Sequence, residues 1–136
     1  MSTEASGLRR RLAEITAGFF EAKLGLSPNR VNVLDEQGGD LIVIKVEGFM
    51  TKAEAALAER KENQKILDEY YARVLEPVSP MLRAALEAAL EEVAQRRLMA
   101  CRTVLDLSRD ECLYLLVLGG SAPEGSASSR TLEGRE

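Results

Sequence analysis

The chain has 136 residues, 46% hydrophobic and 29% charged, with a formal net charge of −4. These values are typical of a single globular domain, and the acidic balance argues against broad nucleic-acid binding. The sequence contains no histidine, so the most common general base and metal ligand is missing, as is the usual partner of Ser or Cys nucleophiles. We therefore expect a protein that is not an enzyme and has no cofactor, no metal site and no nucleic-acid partner.

The longest unbroken apolar run, residues 112–118, is far shorter than the ~20 residues that span a bilayer. At the N-terminus, Arg9, Arg10 and Arg11 are followed by further charges instead of the apolar stretch of a signal peptide. We expect a cytoplasmic location without membrane insertion. In that reducing compartment the two cysteines should be free thiols.

A first helix is predicted over residues 6–23. Its apolar side chains recur at three- and four-residue steps and share one face: Leu8, Leu12, Ile15 and Phe19. Gly25 is expected to end the helix, and Pro28 prevents it from restarting.

A first β-hairpin follows, because apolar residues then alternate at period two: Val31, Val33, Ile42, Ile44 and Val46. Residues 37–40 carry the turn signal Gln-Gly-Gly-Asp. We predict that Asp35 faces Asp40 and that Val33 faces Ile42, which brings the apolar positions of both strands onto one face.

A second helix is predicted from Thr51 to about Leu75. Thr51 and Glu54 have the spacing of a capping box. Glu54 could also serve as an acid or a ligand-binding group, but capping explains both residues at once. Residues 59–65 are polar on every side, which is typical of either a solvated segment or a local break.

A third helix is predicted to begin with Ser79 as N-cap and Pro80 as its first residue. Its buried stripe is expected to consist of Leu82, Leu86, Ala89, Leu90 and Val93. Glu92 and Arg96 stand four residues apart and should form an exposed ion pair on this helix.

A second hairpin is predicted from residues 101–108 and 111–118, with Arg109 and Asp110 at its turn. This turn would pair Leu107 with Cys112. The first strand alternates and is typical of a sheet edge. The second is apolar throughout, so we expect a central strand covered on both faces.

The predicted fold class is therefore α+β, with two antiparallel β-hairpins and three helices in the order αββααββ. We assign residues 1–118 to a single α+β domain. Residues 119–136 are rich in Gly, Ser and Glu and are predicted to be a disordered tail.

Few residues are candidates for chemistry, and we assign no catalytic residues, no metal ligands and no known cofactor-binding residues. The predicted register pairs Cys101 with Leu118, too far from Cys112 for a disulfide, and no histidine activates either thiol, so both are expected in the core. Three consecutive arginines at residues 9–11 point to different sides of a helix and form no single patch. Of the adjacent Tyr70 and Tyr71, one should face the core.

The segment from about residue 12 to residue 119 resembles the MpsC-like family of small bacterial proteins, a domain of unknown function. The resemblance rests on these phrases: Phe19 and Phe20 with Gly25 and Pro28, residues 41–46, and residues 49–57. The family is named for a cation-translocating, membrane-potential-generating system. The resemblance implies an accessory protein and transfers no catalytic residues.

We therefore expect a non-enzymatic cytoplasmic accessory or regulatory module that binds a protein partner and is associated with a membrane ion-transport system. The alternative is a small-molecule or phosphate-binding domain with a pocket between helices and sheet. A third possibility is an enzyme that uses Glu, Lys or Tyr as acid or base. We also expect a homodimer, because four strands leave unpaired edges and the final strand and Ala-rich last helix offer more apolar surface than one small sheet needs.

Overall fold

The computed structural model describes residues 2–35 and 39–121. The helices are α1 (Ser2–Phe19), α2 (Lys52–Leu57), α3 (Lys61–Leu75) and α4 (Ser79–Ala89). α1 and α4 each continue into a single π-helical turn, at Phe20–Leu24 and Leu90–Ala94 respectively. The strands are β1 (Arg30–Asp35), β2 (Leu41–Glu47), β3 (Arg96–Asp106) and β4 (Glu111–Ser121).

The four strands form one antiparallel sheet in the order β1-β2-β4-β3. The α+β class is confirmed, as are the edge position of β3 and the central position of β4. The two hairpins meet through β2 and β4, so the sheet joins the two halves of the chain. β1 and β3 are the two sheet edges.

The prediction of three helices in the order αββααββ is wrong, because the second predicted helix is broken. After Leu57 the backbone tightens, with i to i−3 bonds from Glu59 to Ala56 and from Arg60 to Leu57. Arg60 is extended (φ −104°, ψ 135°) and α3 starts at the next residue. The polar stretch at residues 59–65 therefore contains a local break, and the observed order is αββαααββ.

The predicted register of the first hairpin is wrong by two residues. Val33 pairs with Ile44 and Asp35 pairs with Ile42. Asp40 does not pair with Asp35, because its backbone carbonyl accepts a hydrogen bond from the Leu118 amide at 2.8 Å. A shift of two residues keeps every side chain on its face, so the predicted apolar face is preserved.

The second hairpin is also shifted by two residues. Its strands end at Asp106 and begin again at Glu111, so the turn has four residues instead of two, and Leu105 rather than Leu107 pairs with Cys112. The reason lies in Leu107, which leaves the strand and is buried in the core. Cys101 consequently pairs with Leu116 rather than Leu118.

The third predicted helix differs at both ends. Val78 occupies the N-cap, and the Ser79 hydroxyl instead donates to the Leu75 carbonyl at 2.8 Å, which ties α4 to α3. The helical segment closes at Gln95, which adopts the left-handed conformation (φ 53°), and Arg96 already belongs to β3. The predicted Glu92–Arg96 pair is therefore absent: Glu92 binds Arg11 at 2.9 Å instead.

The core lies between the helices and one face of the sheet. Its largest fully buried side chains come from all parts of the chain: Leu12, Thr16, Phe20, Ile42, Ile44, Val46, Tyr71, Leu86, Leu90, Cys112 and Leu116. Gly25 ends the first helical segment in the left-handed conformation (φ 68°), as predicted. Leu8 and Leu12 are buried, while Ile15 and Phe19 are partly buried against the core.

A carboxylate fastens the last turn to the middle of the chain. Asp110 Oδ1 accepts hydrogen bonds from the backbone amides of Phe49 and Met50, both at 3.1 Å. The Asp110 carbonyl also accepts from the Gly48 amide at 2.9 Å. These bonds hold the segment after β2 against the β3–β4 turn.

β4 extends to Ser121 and therefore includes the first three residues of the predicted tail. The rest of that tail, residues 122–136, lies outside the described residues. The single-domain assignment and the disordered tail stay predictions.

Candidate binding surfaces

In the part of the chain that the structure describes, the helices pack against one face of the sheet. The other face, here called the open face, is largely apolar. Its apolar side chains are Leu34, Leu41, Val43, Met99, Val104, Leu113, Leu115 and Val117. Leu34 is 56% exposed, Leu41 43% and Val117 40%. The prediction that β4 is covered on both faces is therefore wrong. An apolar patch of this kind makes the open face a candidate interaction surface.

The strand register makes the open face continuous. Leu41 stands opposite Val117, and Val43 lies between Leu34 and Leu115 in one row across three strands. Cross-strand neighbours of this kind lie within van der Waals reach.

Met99 extends the open face at a β-bulge. Pairing between β3 and β4 shifts around Leu98, and the Met99 side chain lies over Gly119. A Cβ at residue 119 would stand 2.8 Å from the Met99 sulfur, so any larger residue there would require the flexible Met99 side chain to move.

Charged side chains border the open face at one end. Lys45 lies between two carboxylates, 3.6 Å from Glu47 and 3.5 Å from Glu111. Glu47 and Glu111 stand opposite each other in one cross-strand row. The register places Arg30 and Asp106 at the two outer ends of that row, on the two edge strands. The row therefore has opposite charges at its two ends.

A second surface is a groove between the helices and the edge strand β3, here called the β3 groove. It consists of two cavities of about 430 and 210 Å³, which share Glu76, Ser79 and Thr103. One wall is formed by Ala72, Leu75, Glu76, Ser79, Pro80, Leu82 and Arg83, and the other by Cys101, Thr103, Leu105 and Tyr114. Its position agrees with the pocket that the alternative function requires.

Tyr114 lies at the floor of the β3 groove and is only 2% exposed. Its hydroxyl lies beside the Cys112 thiol, which is only a weak hydrogen-bonding group. Burial, followed by the neighbouring Cys112, raises the pKa of Tyr114 well above its ordinary value. A buried hydroxyl with so weak a partner is unusual.

Both cysteines are free, as predicted. Cys112 is fully buried, and burial raises its pKa to about 12. Cys101 is only partly buried and lines the β3 groove, so its assignment to the core is right only in part. Burial raises the pKa of Cys101 as well, although the nearby Arg83 acts in the opposite direction. Neither thiol has the low pKa of a nucleophile.

The capping box is confirmed. The Thr51 hydroxyl accepts from the Glu54 amide, and Glu54 Oε1 accepts from the Thr51 amide, both at 3.1 Å. Glu54 has a further role that the sequence did not reveal, because the same oxygen accepts from the Tyr71 hydroxyl at 2.5 Å. Burial and this carboxylate raise the pKa of Tyr71 above its ordinary value. Glu54 thus ties α2 to α3 across the helix break.

The tyrosine prediction is also confirmed: Tyr71 is 2% exposed and packs edge-on against Phe49, while Tyr70 is 52% exposed. Of the three arginines at residues 9–11, Arg11 is engaged with Glu92.

Among residues 2–35 and 39–121, no three Cys, Asp or Glu side chains converge in the manner of a metal site. In the same part of the chain, no helix combines the length and the hydropathy that crossing a bilayer requires.

The comparisons with known proteins yield one match. The model of a protein family described as "Na+-translocating membrane potential-generating system (MpsC)" matches residues 5–119. No curated protein and no solved structure matches the chain.

Proposed function

The chain belongs to the MpsC family, and on that basis we propose that it is a non-enzymatic cytoplasmic accessory protein of a Na+-translocating, membrane-potential-generating system. It acts by binding other proteins. The observation that carries this proposal is the open face, whose exposed leucines and valines need a protein surface to cover them. Neither thiol is activated and the family description names no reaction, which also favours binding over catalysis.

In this proposal, a second copy of this chain covers the open face and forms a homodimer. Two such faces would pack as a β-sandwich, with strands aligned to within about 30°. A two-fold axis along the strands places β1 of one copy over β3 of the other. It therefore brings Arg30 towards Asp106 of the partner subunit at both ends of the bordering row. In the middle of the row it brings Glu47 opposite Glu111 of the partner subunit, where the Lys45 of each copy offsets the carboxylates.

The size of the open face indicates how strong this dimer is. Four strands spaced by about 4.8 Å and about six residues at ~3.4 Å each give roughly 400 Å² per copy in flat projection. Side-chain relief increases the accessible area, but the total stays near the lower limit of specific interfaces, about 1,200 Å². We therefore expect a dimer in rapid equilibrium with the monomer.

Light scattering across a concentration series tests the dimer. The wild-type mass should rise from 14.9 kDa towards twice that value as concentration increases from low micromolar to near millimolar. Leu115→Glu, in the middle of the open face, should hold the mass at the monomer value. Ile66→Glu is the matched control, because Ile66 is equally apolar and 64% exposed but lies on α3.

Two results would contradict this part of the proposal. A mass of 14.9 kDa at every concentration would exclude the dimer. A dimer that persists in Leu115→Glu would place the interface elsewhere. Circular dichroism of each variant establishes that the fold is intact.

Cross-linking in living cells tests the accessory role. The tagged protein should recover a subunit of the Na+-translocating system from bacteria that encode both. If it recovers only its own copies from cells with an active system, the accessory role is wrong.

A further inference from the structure

The edge strand β3 presents an unused backbone beside the β3 groove. β3 spans 11 residues, contains no proline and, within residues 2–35 and 39–121, pairs on one side only, with β4. Alternate residues of such an edge direct their N–H and C=O groups away from the sheet, where a further strand can bind them. Proteins that capture peptides by strand addition use this arrangement of a free edge beside a side-chain groove.

From these features we infer that the β3 groove binds an extended, acidic segment of a protein partner, which joins the sheet as a fifth strand beside β3. This inference rests on the proposed function, because it specifies which surface receives the partner. It uses the outer backbone edge of β3 and the groove residues on the helix side, which a dimer built on the open face leaves free, and Arg102 is the one residue that also belongs to the open face.

The groove has the spacing that an added strand requires. Cys101, Thr103 and Leu105 contribute to it at two-residue intervals, or about 6.8 Å apart. Alternate side chains of a neighbouring strand have the same interval, so each can enter the groove at a corresponding position. The larger cavity, about 430 Å³, lies within the range of pockets that hold ligands. Its leucine-rich walls favour apolar side chains at these inward positions.

The charges around β3 favour an acidic occupant. Arg83, Arg97 and Arg102 are all exposed, and within the described residues none of them forms an ion pair. Arg102 stands opposite Leu115 on the open-face side of β3, whereas Arg83 lines the groove itself. Glu76 lines both cavities, so the carboxylates of the segment belong at its outward positions and ends and not inside the groove. Carboxylates on the outward positions and ends of the segment would pair with these guanidinium groups.

Tyr114 provides a second, independent indication. It is 98% buried at the groove floor, and its hydroxyl lies beside the Cys112 thiol, which is only a weak acceptor. A carbonyl or side-chain oxygen that enters the groove would give this hydroxyl a stronger acceptor.

Edge arginines can also serve to prevent aggregation, so the test must separate protection from recognition. The probe is a fluorescent, end-capped synthetic peptide that alternates valine with glutamate. We expect binding to the full-length wild type that weakens about tenfold in Arg102→Gln and about tenfold in Arg83→Gln. Arg60→Gln is the matched control on the distant α2–α3 break and should bind like the wild type. Hydrogen exchange should show new protection at β3 amides, and little change at β1.

Two further peptides sharpen the experiment. One replaces glutamate by lysine and should not bind. The other keeps the glutamates but carries N-methyl groups on alternate residues, which removes the donors for strand pairing, and should also not bind. Binding of the N-methylated peptide would overturn strand addition, and binding of the lysine peptide would overturn the acidic preference. Failure of the glutamate peptide to bind would overturn the inference as a whole.

Inorganic phosphate distinguishes the small-ligand alternative. If phosphate raises the melting temperature of the wild type but not of Arg83→Gln, while the peptide has no effect, the groove is an anion site instead. Failure of the proposed function and failure of the groove inference give different results. Peptide binding without a cellular partner contradicts the accessory role alone, whereas a cellular partner that Arg83→Gln retains contradicts the groove alone.

Discussion

The two faces of the sheet differ sharply although the same strands form both. Leu116 is fully buried beneath the helices, while its neighbours Leu115 and Val117 lie on the open face. The residues are chemically alike, so side-chain type does not distinguish the core from the exposed surface. What distinguishes them is the position of the helices, all of which pack on one side. Apolar residues on the uncovered side therefore contribute less to the monomer's own core than their neighbours on the covered side.

Truncation of neighbouring leucines should separate the two faces most strongly. Leu116→Ala should lower the free energy of unfolding by about 2–5 kcal/mol, because it leaves a cavity in a closed core. Leu115→Ala should cost less than about 1 kcal/mol in the monomer, because its site already borders solvent. Urea unfolding at low micromolar concentration measures both. Equal losses would mean that the open face is part of the core.

Alkaline pH should destabilise the protein, because three buried acidic groups, one thiol and two phenols, lie between the helices and the covered face of the sheet. The pKa of Cys112 rises from its ordinary value of 9.0 to about 12 on burial, and the pKa values of Tyr71 and Tyr114 also rise. Above pH 9 the unfolded chain loses the Cys112 proton while the folded protein keeps it. The free energy of unfolding should therefore fall as pH increases, by about 1.4 kcal/mol per pH unit for each such group.

Urea titrations from pH 8 upwards measure this slope. Cys112→Ala should make the slope shallower between pH 9 and about 12. Cys101→Ala, at the partly exposed thiol, should change it less. A slope that does not respond to Cys112→Ala would contradict the buried, protonated thiol.

Loss of the α2 cap should have a moderate effect. Thr51→Ala should lower the free energy of unfolding by roughly 1 kcal/mol, because the Glu54 amide loses its acceptor. Glu54→Gln should cost little, because an amide oxygen can still accept from Thr51 and Tyr71. Thermal unfolding measures both variants. Intact folding of Glu54→Gln combined with complete loss of partner binding would instead make this carboxylate part of a binding site.

The smallest effect concerns the two thiols, which lie on the helix-covered side at different depths. Cys101 should react with iodoacetamide before Cys112, and both more slowly than free cysteine, because burial raises both pKa values. Mass spectrometry after timed labelling measures the order. Faster reaction at Cys112 would contradict its burial.

Much of the local structure could be predicted from the sequence. The strands, the Thr51 cap and the stop at Gly25 follow from periodicity and from short-range hydrogen bonding, which depend on neighbouring residues. The sequence does not decide whether the second helix is broken, because a polar stretch is compatible with both a solvated helix and a break. Both predicted hairpin registers were wrong by two residues, because turn length was inferred from the turn residues alone. Leu107 packs in the core and Asp40 accepts a hydrogen bond from Leu118, and the turn residues do not encode these distant contacts.

The binding surfaces could not be predicted, because they depend on which strands become neighbours. The apolar run at residues 112–118 indicated a central strand, but the number of helices available to cover it is a tertiary property. Likewise, the β3 groove requires the α3–α4 corner to stand beside residues 101–105, and no local pattern encodes that contact.

The pairing of β2 with β4 has a kinetic consequence. Ile44 meets Tyr114, and Asp110 reaches Phe49, so the central contacts join residues about sixty to seventy positions apart. Each half of the chain offers a two-stranded hairpin with helices beside it, and neither half contains the full four-stranded sheet. Folding must therefore close this long loop before the favourable contacts form, which slows the rate-limiting step. Two fragments divided at the helix break near Arg60 should each remain unfolded alone and regain structure only when mixed.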